Sequence, residues 1–358
     1  MADPRVVQLA DILIHHSLRV QPGDKVLIAG YAAAEPLIRE TYRKVLQAGG
    51  IPITQVNLPE LERIYFEESN EQQLAYTEHL DWLYHHADCY LRILGGDNPK
   101  ELTGIEGAKQ SARSRARAPL SQYLMSGKVR WVLTMFPTMS HAQEADMSLE
   151  EYEDFVYGAV IADYGKMERE MRGIADLFDA GAEVRIVGKE TDLTVNIEGR
   201  KAVLCHGRRN VPDGEFYYTP NLGLTEGHIY YEWPTLYQGK EVSGIRLTFR
   251  EGRIVDYSAE KGGDALEQAL NTDEGSRSLG ELGIGVNFGI AGPTKNILFD
   301  EKIGGSVHLA VGRAYEAGGP GGNVSAIHWD MVKSLKDGGE LYLDGKLMQR
   351  NGVWLIGS

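Results

Sequence analysis

Along the first half of the chain, short apolar runs alternate with stretches whose apolar residues recur every three or four positions. Lys25–Ala29 (KVLIA) follows the turn signal Pro22-Gly23-Asp24 and reads as a strand. A helical pattern then runs through Val45 and stops at Gly49-Gly50. Ile51–Val56, Cys89–Leu94 and Val129–Met135 read as further strands, the last two each preceded by a helical stretch. Strands that alternate with helices predict a parallel sheet with crossover helices. Ser148 and Glu151 form a capping-box pattern that opens a helix expected to reach about Leu177.

The second half follows another rule. Of 42 glycines, 31 lie from Gly173 onward, and helical periodicity fades. Short β-type runs replace it: Glu183–Val187, Leu193–Ile197, Ile245–Phe249, Ile254–Tyr257 and Val307–Val311. Leu341–Leu343 and Leu347-Met348 flank Asp344-Gly345 as a hairpin. One helix is expected near Asp264–Leu270. The expected fold is therefore an N-terminal α/β domain with a mostly parallel sheet, residues 1–180. A C-terminal, mainly antiparallel β-rich (α+β) domain follows, residues 181–358.

Composition narrows the function classes. Lys and Arg number 37 against 51 Asp and Glu, a net charge of −14. Such a chain is ill suited to a nucleic acid backbone or an anionic membrane, both of which call for Lys and Arg. Two cysteines, Cys89 and Cys205, make no disulfide framework, so a reducing, cytoplasmic setting is expected. The first twenty residues carry Asp3 early and space their apolar residues like a helix face, unlike a signal peptide. No run reaches the ~18 apolar residues that a membrane span requires.

The first half holds little evident chemistry. No phosphate loop or G-x-G-x-x-G follows a strand, and Gly283-x-Gly285 lacks the third glycine. His15-His16 and His85-His86 are neighbours on helices, about 100° apart, which suits no shared metal. Arg113, Arg115 and Arg117 splay around a helix and read as scattered solvated charges.

Metal-ligand types collect in the second half. In Ile327–Met331, His328 and Asp330 share one strand face while Ile327, Trp329 and Met331 share the other. In Ser306–Gly312, His308 opposes the apolar face of Val307, Leu309 and Val311. Tyr315 follows, ahead of a glycine-rich loop. Glu215 lies in a tight turn that feeds the aromatic run Phe216-Tyr217-Tyr218, and Glu281 lies between Gly280 and Gly283. Each alone is an ordinary residue. As a set, two His, one Asp and two Glu can fill two divalent metal sites, with one carboxylate bridging. Cys205-His206 cannot form a thiol dyad with itself, because strand neighbours face opposite ways.

These segments resemble the aminopeptidase T / aminopeptidase S family of metallo-aminopeptidases over nearly the whole chain. The resemblance rests on QPGDKVLIAG, RWVLTMFPTMSHAQEADMSLEEYEDFVYGA, GKETDLTVNIEGR, NVPDGEFYYTP, RSLGELGIG, NILFDEKIGGSVHLAVGRAYE and IHWDM. Carried over position by position, it implies metal ligation by Glu215, Glu281, His308, Tyr315, His328 and Asp330. It implies two divalent ions per chain (zinc, cobalt or manganese) and a homodimer whose active sites face an internal cavity. The expected reaction is hydrolysis of the N-terminal peptide bond of peptides with a free N-terminus. Glu281 is expected either to move the proton or to bridge the ions, and Tyr315 either to donate a hydrogen bond to the developing oxyanion or to reach an ion directly. Residues 316–327 are short and glycine-rich where the family carries a longer insertion, which bears on substrate access. The alternative on the same scaffold is a non-haem iron(II) ring-cleaving dioxygenase built on His308, His328 and Asp330. That chemistry has no evident use for Glu215 and Glu281. A scaffold with a dead site predicts a missing ligand, and all six are present.

Overall fold

The computed structural model describes residues 3–356. Met1, Ala2, Gly357 and Ser358, at the ends of the two expected domain spans, lie outside it. The chain divides into two compact units. The first runs through Ile161 and includes Gly207–Pro212; the second holds Ala162–His206 and continues from Asp213. The expected boundary near residue 180 and this division differ by one helix, Tyr164–Phe178, and by the segment Gly207–Pro212, which returns to the first unit. That helix buries Met171, Ala175 and Phe178 in the core of the second unit. It is also separate from Leu149–Val160, where the sequence pattern predicts a single continuous helix. Asp163 is the reason: its carboxylate accepts the Lys166 amide and starts a new helix. The Ser148/Glu151 capping box forms as expected.

The first unit contains a parallel sheet of five strands. Its order is Ile51–Asn57, Lys25–Tyr31, Cys89–Leu94, Arg130–Met135 and Asn210–Val211. Val26, Leu27 and Ile28 are all buried, as a central strand covered on both faces requires. The fifth strand is too short to show a period, and only pairing with Leu133 and Thr134 defines it. Thr134 Oγ1 also donates to the Val211 carbonyl at 2.8 Å. Arg113 corrects the solvated-charge reading. It is buried in the helix Gly107–Met125 and donates to the Leu74 and Tyr76 carbonyls. Those carbonyls end a short helix and replace the water that the guanidinium gives up.

The second unit is antiparallel. One sheet has eight strands, and a hairpin pairs Thr235–Tyr237 with Lys240–Val242. A five-stranded sheet runs His328–Ser334, Ser306–Gly312, Leu279–Gly285, Glu215–Tyr218, Val203–Cys205. Its core face carries Phe216, Leu282, Ile284, Val307, Leu309, Val311 and Met331, all at 0% exposure. Each such side chain contributes about 1.5–3 kcal/mol by leaving water. Among the described residues, no helix is long and apolar enough to cross a membrane.

Candidate metal centre

The other face of this five-stranded sheet carries the polar residues that the sequence singles out. Register sets their positions. Glu281, Ala310 and Asp330 lie abreast on three adjacent strands. His308 lies abreast of Gly283, with Tyr217 on the far side. Glu215 opposes Gly285 and Cys205. His328 opens its strand opposite Gly312, two residues before Asp330. Small residues between the polar ones make the space. A Cβ on Gly283 would lie 1.9 Å from the His308 ring, so the imidazole occupies the place of a side chain there.

His308 Nε2 is 3.1 Å from Glu281 Oε1 and 3.6 Å from Glu215 Oε2. His328 Nε2 is 3.3 Å from Asp330 Oδ2. Both rings are turned by backbone: the Glu301 carbonyl lies 3.0 Å from His308 Nδ1, and the Arg313 carbonyl 2.7 Å from His328 Nδ1. A carbonyl only accepts, so each Nδ1 carries the proton and each Nε2 is left as the donor atom. The Tyr315 ring packs 4.5 Å from the His328 ring and 6.3 Å from that of Tyr217.

The surroundings are dry and strongly charged. Burial pushes Glu215 and Glu281 above the usual carboxylate range. Burial would lower His308, but its bond to Glu281 and the charges of Glu215, Glu281 and Asp330 lift it to about 10. His328 rises to about 9 against burial, through Asp330 and Glu281. Asp330 falls despite burial because His328 bonds to it. Burial, then the charges of Asp330, Glu281 and Glu301, keep Tyr315 protonated beyond its ordinary range.

Glu215 Oε2, Glu281 Oε2 and Asp330 Oδ1 are buried and have no hydrogen-bond partner among the described residues. An orphaned carboxylate oxygen is costly to bury. Three of them beside two imidazole Nε2 atoms form a mixed N/O donor set of the kind that divalent ions occupy. Donor atoms of Glu281, His308 and Asp330 fall within 4.8 Å of one another. The residues present therefore fit a metal. The structure also gathers residues that sequence reasoning passes over. Glu301 joins Glu215 and His308 in a second such group, and Cys205 and Asp213 join Glu215 in a third. Lys302, at 0% exposure, pairs with Glu215 and Glu301. Their signal in the sequence is Asp300-Glu301-Lys302, three charges directly ahead of an apolar strand. Burial drives the Cys205 thiol well above its usual range, which suits no nucleophile.

The chain is similar in sequence and fold to known proteins. Aminopeptidase AmpS of Bacillus subtilis (strain 168) is 26% identical, over 96% of this chain and 97% of its own. The solved structure of wild-type AmpT from Thermus thermophilus superposes with a TM-score of 0.86 at 24% identity, covering 98% of this chain and 99% of that one. The 2,5-dihydroxypyridine dioxygenase of Pseudomonas putida KT2440 shares the fold at a TM-score of 0.64 and 13% identity, over 99% and 97%. Residues 2–354 match the thermophilic metalloprotease (M29) family, and the chain belongs to that family of metal-dependent peptidases.

Proposed function

We propose that this protein is a metallo-aminopeptidase that removes the N-terminal residue of peptides. Its divalent ions, zinc, cobalt or manganese, would be held by Glu215, Glu281, His308, Tyr315, His328 and Asp330. The convergence of three orphaned buried carboxylate oxygens on two backbone-oriented imidazoles carries the reading. The family resemblance supports up to two ions per chain. The catalytic role belongs to the C-terminal domain, since all six residues lie beyond residue 180.

Bound divalent ions supply Lewis-acid polarisation of a carbonyl and bring the pKa of water from 15.7 toward ~7. The chain's own groups do the rest. Glu281 Oε2, raised in pKa and without a hydrogen-bond partner among the described residues, takes the proton from the attacking water and can return it to the leaving amine. Where it is not itself a ligand, Tyr315 keeps its hydroxyl proton and donates a hydrogen bond to the oxygen that becomes charged. The excess of carboxylates favours a cationic α-amino group over an acylated one. The protein is further read as a cytoplasmic homodimer. Free Cys89 and Cys205 support the first part. Exposed Tyr42, Leu46, Ile51 and Val56, on and beside the sheet-edge strand Ile51–Asn57, support the second.

The test is release of a free amino acid from short peptides with free and with acetylated N-termini, after chelation and after metal add-back. Metal-restored cleavage of only the free peptides is expected. No cleavage with any metal, with iron(II)-dependent oxygen uptake on aromatic substrates, would instead select the dioxygenase. Light scattering at twice the 39.6 kDa chain mass checks the dimer.

A further inference from the structure

Lys302 has no part in the reaction described above, yet it is buried against the centre. Its Nζ lies 3.6 Å from Glu215 Oε1 and pairs directly with Glu301 Oε1. The other Glu215 oxygen, Oε2, faces His308 Nε2 and has no hydrogen-bond partner among the described residues. Glu215 is thus divided, one oxygen given to an ammonium and the other to the centre.

Of the three candidate cation positions among the described residues, two overlap at His308. One is Glu281, His308 and Asp330; the other is Glu215, Glu301 and His308. They share a single imidazole nitrogen, because His308 Nδ1 is committed to the Glu301 carbonyl. One lone pair serves one ion. The positions also differ in charge. A fixed ammonium stands beside the second, where burial leaves it little screened. Among the described residues, Glu281 and Asp330 form ion pairs only with His308 and His328. Those imidazoles are themselves ligand atoms for an ion, whereas the Lys302 ammonium has no lone pair to offer.

We propose that Lys302 is a built-in counter-charge that ranks the two positions. One divalent ion is held tightly at Glu281, His308 and Asp330, and a second binds weakly and exchangeably at Glu215 and Glu301. The ammonium already supplies there the positive charge that a second ion would bring. This inference rests on the metalloenzyme reading of the centre.

The test uses full-length protein stripped of metal and titrated with cobalt(II), followed by calorimetry and visible absorption. Metal content is also measured after gel filtration. Wild type is expected to retain one ion per chain and to bind a second at least 100-fold more weakly. Lys302→Met is expected to tighten the second ion at least tenfold and to retain two. Lys302→Arg, which keeps the charge, is expected to preserve the wild-type ranking. Two ions of equal affinity in wild type, or no change in a folded Lys302→Met, would overturn the proposal. Should Lys302→Met not fold, the wild-type titration decides alone. Failure of the enzymatic reading looks different: unequal ions without peptide cleavage would retire the aminopeptidase and leave the ranking intact. Peptide cleavage with two equally tight ions would do the reverse.

Discussion

The two faces of the five-stranded sheet in the second unit come from the same strands and have opposite physics. One face is Val307, Leu309, Val311, Trp329 and Met331, packed into the core. The other, reached by alternation along each strand, carries Glu281, His308, His328 and Asp330. Both are largely shielded from water, with the Asp330 and His328 side chains each 11% exposed. The apolar face is stable by itself. The polar face is not, because its carboxylates have given up water and keep oxygens that no hydrogen bond among the described residues satisfies. Such a face is held by the rigidity of the first and completed by a cation. Stability and function in this sheet are therefore separable by a single step along each strand.

That separation can be attacked at several points. The largest effect is expected from His328→Ala, which removes a donor atom and the partner of Asp330. Peptide hydrolysis should fall by about 10³-fold or more, with metal retention after gel filtration reduced. Retention of full activity would break the assignment of this face. Gly283→Ala comes next. It adds one methyl group at the position where the His308 ring sits, so metal affinity should fall by about 10–100-fold, as when a ligand's support is lost. Equilibrium dialysis with zinc or cobalt reads this directly. Tyr315→Phe should lower kcat by about 10²-fold and leave KM nearly unchanged, as loss of a transition-state donor does.

On the opposite face, Leu309→Ala should cost about 2–5 kcal/mol of stability through a core cavity. Hydrolysis well below the melting temperature should be nearly normal. A large loss of activity in the folded variant would show that the faces are coupled. The smallest effect concerns pH in the metal-free protein. His328 is raised to about 9, so its ionised pair with Asp330 contributes fully below the unfolded value of about 6.5 and is lost as pH rises through 9. The melting temperature of metal-free protein should therefore decline between pH 6.5 and 10. With metal bound the decline should be smaller, since binding has already displaced the proton.

The legibility of the molecule in its sequence follows the same division. Val307, Leu309 and Val311 alternate with His308, and Ile327, Trp329 and Met331 alternate with His328 and Asp330. Period-two patterning by itself therefore places these polar residues on one face. The parallel strands of the first unit are legible as unbroken apolar runs such as Val26–Ile28. Glu215 and Glu281 are not legible this way. Glycine and aromatic neighbours hide their period, so residue type and the family resemblance, not alternation, single them out. Glu301 and Lys302 lie in a turn, which has no period, and reach the centre through the fold of the chain after Ile297–Asp300. Arg113 reads as solvated because a helical wheel records no carbonyls offered by Leu74 and Tyr76. The strand Asn210–Val211 is missed for a similar reason, since pairing alone makes it a strand.

The backbone carbonyls behind the two imidazoles have a consequence for descent. A supporting carboxylate can be lost by one nucleotide change, but the carbonyls of Glu301 and Arg313 belong to every amino acid that could replace those residues. The nitrogen that each ring presents is thus inherited with the path of the chain. Side chains at these two positions are free to drift, as far as ring orientation is concerned, while the donor geometry persists. Substrate preference in a lineage built on this scaffold can change around the centre without the centre itself having to be reinvented.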